Sequence, residues 1–491
     1  METSLVLKKQ ISNIFKDYDV WVKANPDSTY NVKETISGWV RDFRLQTPNA
    51  FIGLSDGSSP HALQVFVSKS TIPDFDNLEN LRGACIQVSG FVVKSPAQGQ
   101  TIELVAEEIK TLSTIQDKKH ILLTKSANLE TLRNHQHYRS RFRSYNYIYK
   151  IRSNLLKNIH EFFHANNFYN LDPNVITTSD CEGAGEVFTI TSLDLTKKIS
   201  EPKEESKEES IFANDFFSKQ AFLTVSSQLQ LEALTMGLSR VYTLNPSFRA
   251  EKSKTKRHLG CFTHLEWEIA FIDMSDLMNF SEALIKYVIS KTLEQCADEY
   301  KELDKFLSKG IVQKLNSFVN CDFERISYDK AIELIEQNKK AILKQWKELD
   351  YKQIPKWGDD LGSYCERYIC ETIYKKPTFV YNYPKDLKSF YMKVNPDNKT
   401  CQGVDLIIPQ LGELIGSSIR ESSYEKLVAQ MEARSMDKTK LQWYLDLRAS
   451  GNAPTGGAGL GFDRLVNVCT LMDGNIRDVV PFPVSYQECD Y

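Results

Sequence analysis

Two arginine-containing segments, far apart in the chain, carry the residues with the clearest chemical potential. The first segment, FRAE followed by RHLGCF, supplies Arg249, Glu251, Arg257, His258 and Phe262, and the second, GLGFDR, ends at Arg464. Guanidinium groups stay charged and hold phosphate oxygens through paired hydrogen bonds, and a phenyl ring offers a flat face to adenine. Either segment alone also fits an exposed basic loop or a glycine-rich helix start. Together, and in this order, they favour a site that holds ATP bent over its own α-phosphate.

The composition narrows the class of protein. The chain has 491 residues, of which 41% are hydrophobic and 25% charged, and its formal net charge is −3. This length predicts two or three domains, and the near-balanced charge means that any nucleic-acid surface is a local patch. We find no apolar run long enough for a membrane span and no signal-peptide core, so we expect no membrane association. Ten cysteines without CxxC spacing predict reduced thiols and a cytoplasmic location.

The elements that must position these residues change in type along the chain. Residues 33–113 contain short alternating strands punctuated by Gly, Ser or Asp, which predicts a small β-barrel. An apolar stripe predicts a helix from about Tyr145 to Ala165, and further helices are expected at 275–350. Strands then return before a last amphipathic helix near Gly461. The charged segment 197–210 predicts a solvated surface loop.

The chain resembles the asparaginyl-tRNA synthetases, a class II family in the subgroup shared with the aspartyl and lysyl enzymes. Beyond the two arginine segments, the resemblance rests on TTSDCEGAGEVF, YNYPKDLKSFYMK, WYLDLRASG and NIRDVVPFP, and it covers residues 35–483. It implies an α+β fold, with an N-terminal OB-fold β-barrel plus a class II catalytic domain built on an antiparallel sheet flanked by helices. The implied division is 1–115 for anticodon binding, 116–140 as a hinge and 141–491 for catalysis, with the charged loop at 197–210 and a helical insertion at about 275–350.

The resemblance also implies the reaction: ATP-dependent attachment of asparagine to tRNA(Asn) through an asparaginyl-adenylate, by a homodimer. The asparagine carboxylate is already a nucleophile, so the first step needs no protein base and depends on positioning and charge neutralisation. The expected catalytic residues are Arg249, which would hold the α-phosphate and the reacting carboxylate, and Arg464, which would hold the γ-phosphate. The remaining ATP contacts implied are Arg257 and His258 on the β/γ side, Phe262 on adenine, and Glu251 as a hydrogen-bond acceptor.

Two carboxylates flank the segment GVDLIIPQLGE, which reads as two strands joined by a turn. Asp405 and Glu413 stand directly before GSSIR, where the family keeps its metal ligands. Hard oxygen ligands beside a triphosphate suit Mg²⁺. We therefore expect Mg²⁺ at Asp405 and Glu413, with Glu413 also serving ATP binding.

Selection between asparagine and aspartate depends on the charge around the substrate side chain. An asparagine amide needs one donor and one acceptor, whereas an aspartate side chain needs two cations. Arg420 matches the arginine that contacts the substrate side chain in both families. The position of the second cation in aspartyl enzymes, five residues after the Ser of a Ser-x-Gln motif, holds Leu231 here, which disfavours aspartate. Glu266 can accept from the amide or from the α-ammonium, and both possibilities stay open. The other asparagine contacts implied are Glu182, Ser226, Gln228 and Ser418.

The barrel carries the residues expected to read the anticodon. Arg41, Phe51 and Gln64 fall at strand positions that face tRNA in related OB domains. Phe51 would stack on the central uridine, a contact of about 1–3 kcal/mol per base. Gln64 would bind the edge of that uridine, and Arg41 would reach a base or a phosphate.

Four features depart from the family pattern. Pro173 lies one place early in the segment of motif 1, Cys261 replaces a usual Glu before Phe262, Thr455 stands where a His is usual, and the segment after Pro483 lacks a usual Arg. None of these changes removes an invariant arginine of the family. They leave an alternative open: a divergent paralogue that binds tRNA or a small ligand without charging tRNA, makes asparagine, or uses aspartate.

Overall fold

The structure is a computed structural model, and it describes residues 7–26, 28–124, 127–178, 186–196, 211–347, 354–472 and 474–491. The chain divides into two compact units, Met1–Tyr147 and Ile148–Tyr491. Within the described ranges, no helix is long and apolar enough to cross a membrane. The segment 197–210, expected as a charged loop, lies outside the described residues. The predicted division into an anticodon-binding domain, a hinge and a catalytic domain stays a prediction.

The strands of the first unit form a closed barrel in the order β1-β2-β3-β5-β4, which confirms the predicted barrel. Its strands are β1 (Asn31–Gln46), β2 (Asn49–Ser55), β3 (Leu63–Ser68), β4 (Cys85–Lys94) and β5 (Ile102–Ser113). Alternate residues of each strand point inward, so that Ile52, Val65 and Val88 are buried with their neighbours in one apolar core. The helix α1 (Ile11–Ala24) adds Ile11 and Ile14 to that core. The outward-facing residues are left for binding.

The second unit contains an eight-stranded sheet in the order β12-β13-β14-β15-β16-β11-β10-β6, and a small sheet, β7-β9-β8. The strands are β6 (Tyr169–Asn170), β7 (Ile176–Thr177), β8 (Thr189–Ile190), β9 (Ala221–Leu223), β10 (Arg240–Phe248), β11 (Cys261–Ala270), β12 (Glu324–Ser327), β13 (Thr378–Tyr381), β14 (Gly403–Ile408), β15 (Gly412–Ile419) and β16 (Thr455–Gly461). From β13 to β10 every neighbouring pair is antiparallel. The predicted antiparallel sheet, and with it the α+β class, is confirmed.

Helices of the second unit accompany this sheet, and they form most of the described part of the stretch predicted to be helical at 275–350, which β12 interrupts. The helices that follow α1 along the chain are α2 (Leu129–Arg133), which lies in the first unit, α3 (Arg143–Ala165), α4 (Gln228–Leu238), α5 (Met274–Gln295), α6 (Ala297–Phe306), α7 (Ile311–Val319), α8 (Tyr328–Gln345), α9 (Gly362–Arg367), α10 (Tyr424–Ala433), α11 (Gln442–Ala449) and α12 (Phe462–Thr470). Asp273 caps α5 by accepting a hydrogen bond from Asp276 N, and Ser327 caps α8 in the same way. These caps fix where the two long helices begin.

An aromatic cluster packs α3 against the central strands. Phe163 of α3 stacks on Tyr242 of β10, with ring centroids 4.3 Å apart and an interplanar angle of 11°. Its ring also lies 5.9 Å from that of Trp267 on β11. All three side chains are fully buried, so they anchor one face of β10 and β11. The alternate residues of β11 are directed to the opposite face of the sheet, where the candidate site lies.

Candidate active site

The hairpin of β10 and β11 presents the first arginine segment. Phe248 pairs with Cys261 at the end of the ladder, and Arg249 N donates to Gly260 O at 3.0 Å, which closes the base of the connecting loop. The Arg249 guanidinium lies 5.7 Å from the centre of the Phe262 ring. A cation and an aromatic face therefore stand side by side at the mouth of the hairpin, as a nucleotide site requires.

A cavity of about 700 Å³ brings both arginine segments together. All the sequence-predicted ATP residues line it: Arg249, Glu251, Arg257, His258, Phe262, Glu413 and Arg464. Arg464 comes from the first turn of α12, and its Nη1 donates to Glu413 O at 3.0 Å. Strand β16 and helix α12 therefore place the segment GLGFDR beside the loop between β10 and β11, although this segment and the loop are remote in sequence.

His258 lines the same cavity, and its lowered pKa favours the neutral ring. Its Nδ1 is 2.6 Å from Thr255 Oγ1, and its Nε2 is 3.7 Å from Glu251. Burial lowers the pKa of His258, and the positive charges of Arg464 and Arg249 lower it further against the opposing effect of Glu251. A neutral imidazole beside guanidinium groups offers a hydrogen bond to a phosphate without adding charge.

A second, buried cluster lies on the same face of β11. His264, Glu266 and Glu268 alternate with Leu265, Trp267 and Ile269, so all three polar side chains share one face. Glu266 accepts a hydrogen bond from Ser227 N at 2.9 Å and another from the Ser226 hydroxyl. These contacts hold the carboxylate at the N-terminal end of α4. The structure thereby brings together three predicted asparagine contacts, Ser226, Gln228 and Glu266.

Arg420 is held by a carboxylate that sequence reasoning missed. Its Nε and Nη2 donate to the two oxygens of Glu268 at 2.9 and 2.8 Å, and its Nη1 donates to the Ser418 hydroxyl. Gln228 donates to the same carboxylate. Burial raises the pKa of Glu268, while Arg420 opposes that effect. The alternation of polar and apolar residues in HLEWEI is the sequence signal that marks Glu268 as a partner of Glu266.

Glycines of β16 and β15 form a trough between the arginine-lined cavity and the buried Glu268–Arg420 pair. One cross-strand row runs Asp405, Gly416, Gly459, Glu266, and the next contains Ser418, Gly457 and Glu268. A Cβ on Gly457 would lie 1.9 Å from Glu268 Oε2, and one on Gly459 would lie 2.5 Å from His264 Nε2. Side chains larger than hydrogen would therefore displace the polar groups that border the trough.

The predicted metal carboxylates lie on adjacent strands, as expected, and face the same space. A Cβ on Gly416 would be 3.2 Å from Glu413 Oε1 and 3.7 Å from Asp405 Oδ1, so the missing side chain leaves room between them. Lys388 pairs with Asp405 at 2.5 Å. Within the described part of the chain, no three His, Cys, Asp or Glu side chains come together as a metal site. The pair fits a hard cation that takes its remaining ligands from phosphates and water.

A third carboxylate, not anticipated from the sequence, adjoins this pair. Glu366 of α9 has Oε2 at 3.2 Å from the position of a Cβ on Gly412, and Arg257 Nη1 lies 3.1 Å from the same point. Burial raises the pKa of Glu366 to about 8, with further contributions from Glu413 and Asp405. Its protonation state therefore changes near neutral pH.

Thr455, one of the positions that depart from the family pattern, has local partners. Thr455 begins β16, donates to Glu232 Oε1 at 3.3 Å, and accepts a hydrogen bond from Arg420 N through its carbonyl at 2.9 Å. Glu232 is paired with Arg448 at 2.7 Å, and both side chains are buried. Leu231 is fully buried on α4. Glu182 lies outside the described residues.

The barrel places two of the three predicted anticodon residues together. Phe51 and Gln64 point outward from β2 and β3, and Phe51 forms an edge-to-face pair with Phe66 at 5.6 Å. Arg44, opposite Phe51 on β1, holds its guanidinium 5.2 Å from the Phe51 ring. We call Arg44, Phe51, Gln64 and Phe66 the barrel face. Sequence reasoning missed Arg44 and Phe66, which only the register of the ladder identifies.

Arg41 is not part of the barrel face. A β-bulge interrupts the β1–β2 register between Val40 and Asp42, so Arg41 has no partner on β2. A bulge re-aims the side chain that it carries. Arg41 lines a separate groove of the same unit, together with Arg141 and Arg143.

Comparisons with known proteins agree with this geometry. A family model described as tRNA synthetases class II (D, K and N) matches residues 128–486, and one described as an OB-fold nucleic acid binding domain matches residues 34–112. The asparagine–tRNA ligase of Microcystis aeruginosa is 40% identical over 96% of this chain and 99% of its own. That of Borrelia garinii is 39% identical over 94% and 96%.

A solved structure extends the comparison to three dimensions. The asparaginyl-tRNA synthetase from Pyrococcus horikoshii complexed with asparaginyl-adenylate superposes with a TM-score of 0.81 at 29% identity, covering 98% of this chain and 99% of that one. The predicted OB-fold barrel with a class II catalytic domain is therefore confirmed. The chain belongs to the class II tRNA synthetase family and, within it, to the asparagine–tRNA ligases.

Proposed function

We propose that this chain joins asparagine to tRNA(Asn) in two steps, first forming an asparaginyl-adenylate from ATP. The observation that carries the proposal is that the paired strands β11 and β16 form one continuous surface. The arginine-lined cavity lies at one end of this surface, and the buried Glu268–Arg420 pair lies at the other. Phosphates need the first set of groups and an amino-acid side chain needs the second. Both substrates can therefore meet over the glycine trough.

Arg249 is the residue best placed to stabilise charge at the α-phosphate. It begins the loop whose base is closed by backbone hydrogen bonds, so its position is set before substrate binds. Arg257 and His258, further along the same loop, are assigned to the β/γ-phosphates, and Arg464 to the γ-phosphate. Phe262 is assigned to adenine. The asparagine carboxylate attacks phosphorus, pyrophosphate leaves, and no protein group needs to remove a proton.

Asp405 and Glu413 would hold Mg²⁺, which would supply charge neutralisation for the phosphates. Burial raises the pKa of Glu413, but Arg464, Lys388 and Arg249 together hold it below its usual value. The carboxylate is therefore ionised at neutral pH, as a ligand of a hard cation must be. Lys388, paired with Asp405, would keep that carboxylate oriented.

The proposed preference for asparagine follows from the charges around Arg420. Two of its nitrogens are already engaged by Glu268 and a third by Ser418, so its positive charge is compensated. An aspartate side chain would add a carboxylate to a buried site that already contains Glu266 and Glu268, and Leu231 supplies no second cation. A site built to pair polar groups rejects a mispaired analogue by up to ~10⁴-fold. Glu266 remains assigned to either the amide or the α-ammonium, and Glu182 to the ammonium pocket.

The barrel face is proposed to read the anticodon, with Phe51 stacked on the central uridine and Gln64 at its edge. Gln64 is held by Glu103 at 3.0 Å, which leaves its amide oxygen to accept from a base. We also propose a homodimer in the cytoplasm, supported by the family assignment. The described cysteines are all free thiols, which suits a reducing compartment.

Exchange of labelled pyrophosphate into ATP tests the proposal. We expect exchange that depends on asparagine and responds little to aspartate, followed by charging of tRNA(Asn). Equal exchange with aspartate would exclude the proposed preference. Exchange without charging of any tRNA would favour a non-charging paralogue, an alternative that the full-length match to asparagine–tRNA ligases does not favour.

A further inference from the structure

A basic groove in the first unit is not used by the reaction described above. It measures about 1350 Å³ and is lined by Trp39, Arg41, Arg141, Arg143 and Asn146, among other residues. The groove lies beside the bulge in β1 and the beginning of α3. We call it the bulge groove.

Arg41 is the cation of the bulge groove that no described carboxylate holds in an ion pair. Among the described residues it has no hydrogen bond or ion pair, although its side chain is partly buried. Burial lowers the pKa of Arg41, and the positive charge of Arg143 lowers it further against the smaller opposing effects of Tyr147 and Asp42. A guanidinium in this position gains from any anion that enters.

The two carboxylates of the groove do not compensate for its three arginines. Asp42 pairs with Arg143 at 3.0 Å at the exposed rim. Asp56 accepts hydrogen bonds from Ile11 N at 2.8 Å and from Ser58 N at 2.9 Å, which uses its oxygens for the fold. The groove therefore has a surplus positive charge centred on Arg41 and Arg141.

Two further groups in the groove suit a nucleotide better than a simple anion. Trp39 is 38% exposed and has the Arg141 guanidinium 4.9 Å from its ring, so its remaining surface can contact a sugar or a base. The Oδ1 atom of Asn146 is buried and has no hydrogen-bond partner within the described chain. An unpaired acceptor calls for a donor, and a ribose 2′-hydroxyl is one.

The bulge groove continues from the barrel face along β1. Arg44 lies opposite Phe51, and Asp42, two residues earlier on β1, lies opposite Gly53. Arg41 precedes Asp42 at the bulge. Three residues of a strand span about 10 Å. An RNA strand whose base rests on Phe51 can therefore reach the groove with a neighbouring part of its backbone.

We propose that the bulge groove binds a backbone phosphate and ribose of the same tRNA strand whose anticodon base contacts the barrel face. The proposal rests on the proposed tRNA-charging function, and it adds a contact that fixes the backbone and reads no base. Arg41 and Arg141 would hold the phosphate, and Asn146 would accept from the 2′-hydroxyl.

Binding of a tRNA(Asn) transcript to the full-length protein, measured against salt concentration, tests this proposal. We expect Arg41→Ala and the closer isostere Arg41→Gln to weaken binding roughly 10-fold at low salt. The slope of log K against log salt should fall by about 0.7–0.9, the value of one phosphate contact. Lys110→Ala, which removes an exposed cation of β5 outside the groove, is the matched control and should change the slope less. Thermal melting of each variant checks that the fold is kept.

Three results would overturn the proposal. The slope could be the same in the Arg41 variants and the parent, or the Lys110 control could lower it equally. Inorganic phosphate or pyrophosphate could bind the parent, but not Arg41→Gln, at concentrations that leave tRNA binding unaffected, which would assign the groove to a small anion. Asparagine-dependent exchange and charging by the parent report on the proposed function separately. If the parent charges tRNA while its Arg41 variants keep the full slope of log K against log salt, the proposed role of the bulge groove is refuted and the proposed function is not.

Discussion

The catalytic trough and the barrel face hold their binding groups in opposite ways. In the trough, Arg420, Glu268 and Glu266 are almost completely buried, and each is bound by at least one other side chain or backbone group. On the barrel face, Phe51 and Arg44 are partly or fully exposed and meet mainly through ring and cation–π contacts. The trough is preorganised by the protein, whereas the barrel face is completed by its ligand.

This difference predicts different sensitivities. Removing one member of a buried, paired set leaves its partners uncompensated, which is costly. Removing one exposed group costs only that group's own contact with the ligand. Substitutions in the trough should therefore act on chemistry with large factors, and substitutions on the barrel face should act on tRNA use with small ones.

The largest effect is expected from Arg249→Ala. Its guanidinium is positioned for charge that develops at the α-phosphate, so adenylate formation should fall by at least ~10²–10³-fold, the size of the effect of single preorganised donors in other enzymes. Pyrophosphate exchange at saturating ATP and asparagine measures this. Arg240→Ala, at the other end of β10, is the control and should retain exchange. Near-normal exchange by the Arg249 variant would refute its catalytic assignment.

The second prediction concerns the charge balance around Glu366, beside the predicted metal carboxylates. Burial and neighbouring carboxylates raise the pKa of Glu366 to about 8, above its ordinary value of 4.5. Between these values the unfolded chain is ionised at this position and the folded protein keeps the proton, so this group lowers stability as the pH rises. We expect Glu366→Gln to gain stability relative to the parent from pH 5 to 8, by up to about 1.4 kcal/mol per pH unit.

Thermal unfolding of the Glu366 variant and the parent at several pH values checks this expectation. Glu294→Gln, which alters an exposed carboxylate of α5, is the matched control and should run parallel to the parent. A constant difference between parent and Glu366 variant across the range would contradict the raised pKa.

Sequence patterns predicted the parts of both regions that depend on local order. The barrel follows from alternation within each strand, and the ATP residues follow from two compact motifs. Arg44 and Phe66 are not identified by the sequence because their roles depend on cross-strand register, which places them beside Phe51 from two different strands. Alternation along β11 places Glu268 on the face of Glu266, but its pairing with Arg420 depends on the register across β16 and β15. Arg41 was grouped with Phe51 because a single-residue bulge cannot be read from the sequence of β1.

On the barrel face, Phe51→Ala should separate the two regions. Asparagine-dependent exchange should stay nearly unchanged, while charging efficiency should fall roughly 5- to 100-fold, corresponding to ~1–3 kcal/mol of lost stacking. Replacing the central anticodon uridine should give a similar loss with the parent and little further loss with the variant, because both changes remove the same contact. Equal charging of both tRNAs by the parent would show that the barrel does not read this base.

The smallest effect is expected from Arg44→Ala. A cation–π contact at an exposed site is worth about 0.5–1 kcal/mol, so charging should fall only about 2- to 5-fold. The size alone does not distinguish support of the Phe51 ring from a direct contact with RNA, but a double-mutant cycle does. If Arg44 acts by holding the ring, Arg44→Ala should have almost no effect in a Phe51→Ala background. If the loss is the same in both backgrounds, Arg44 contacts the RNA independently, and the barrel face is a set of separate contacts rather than one platform.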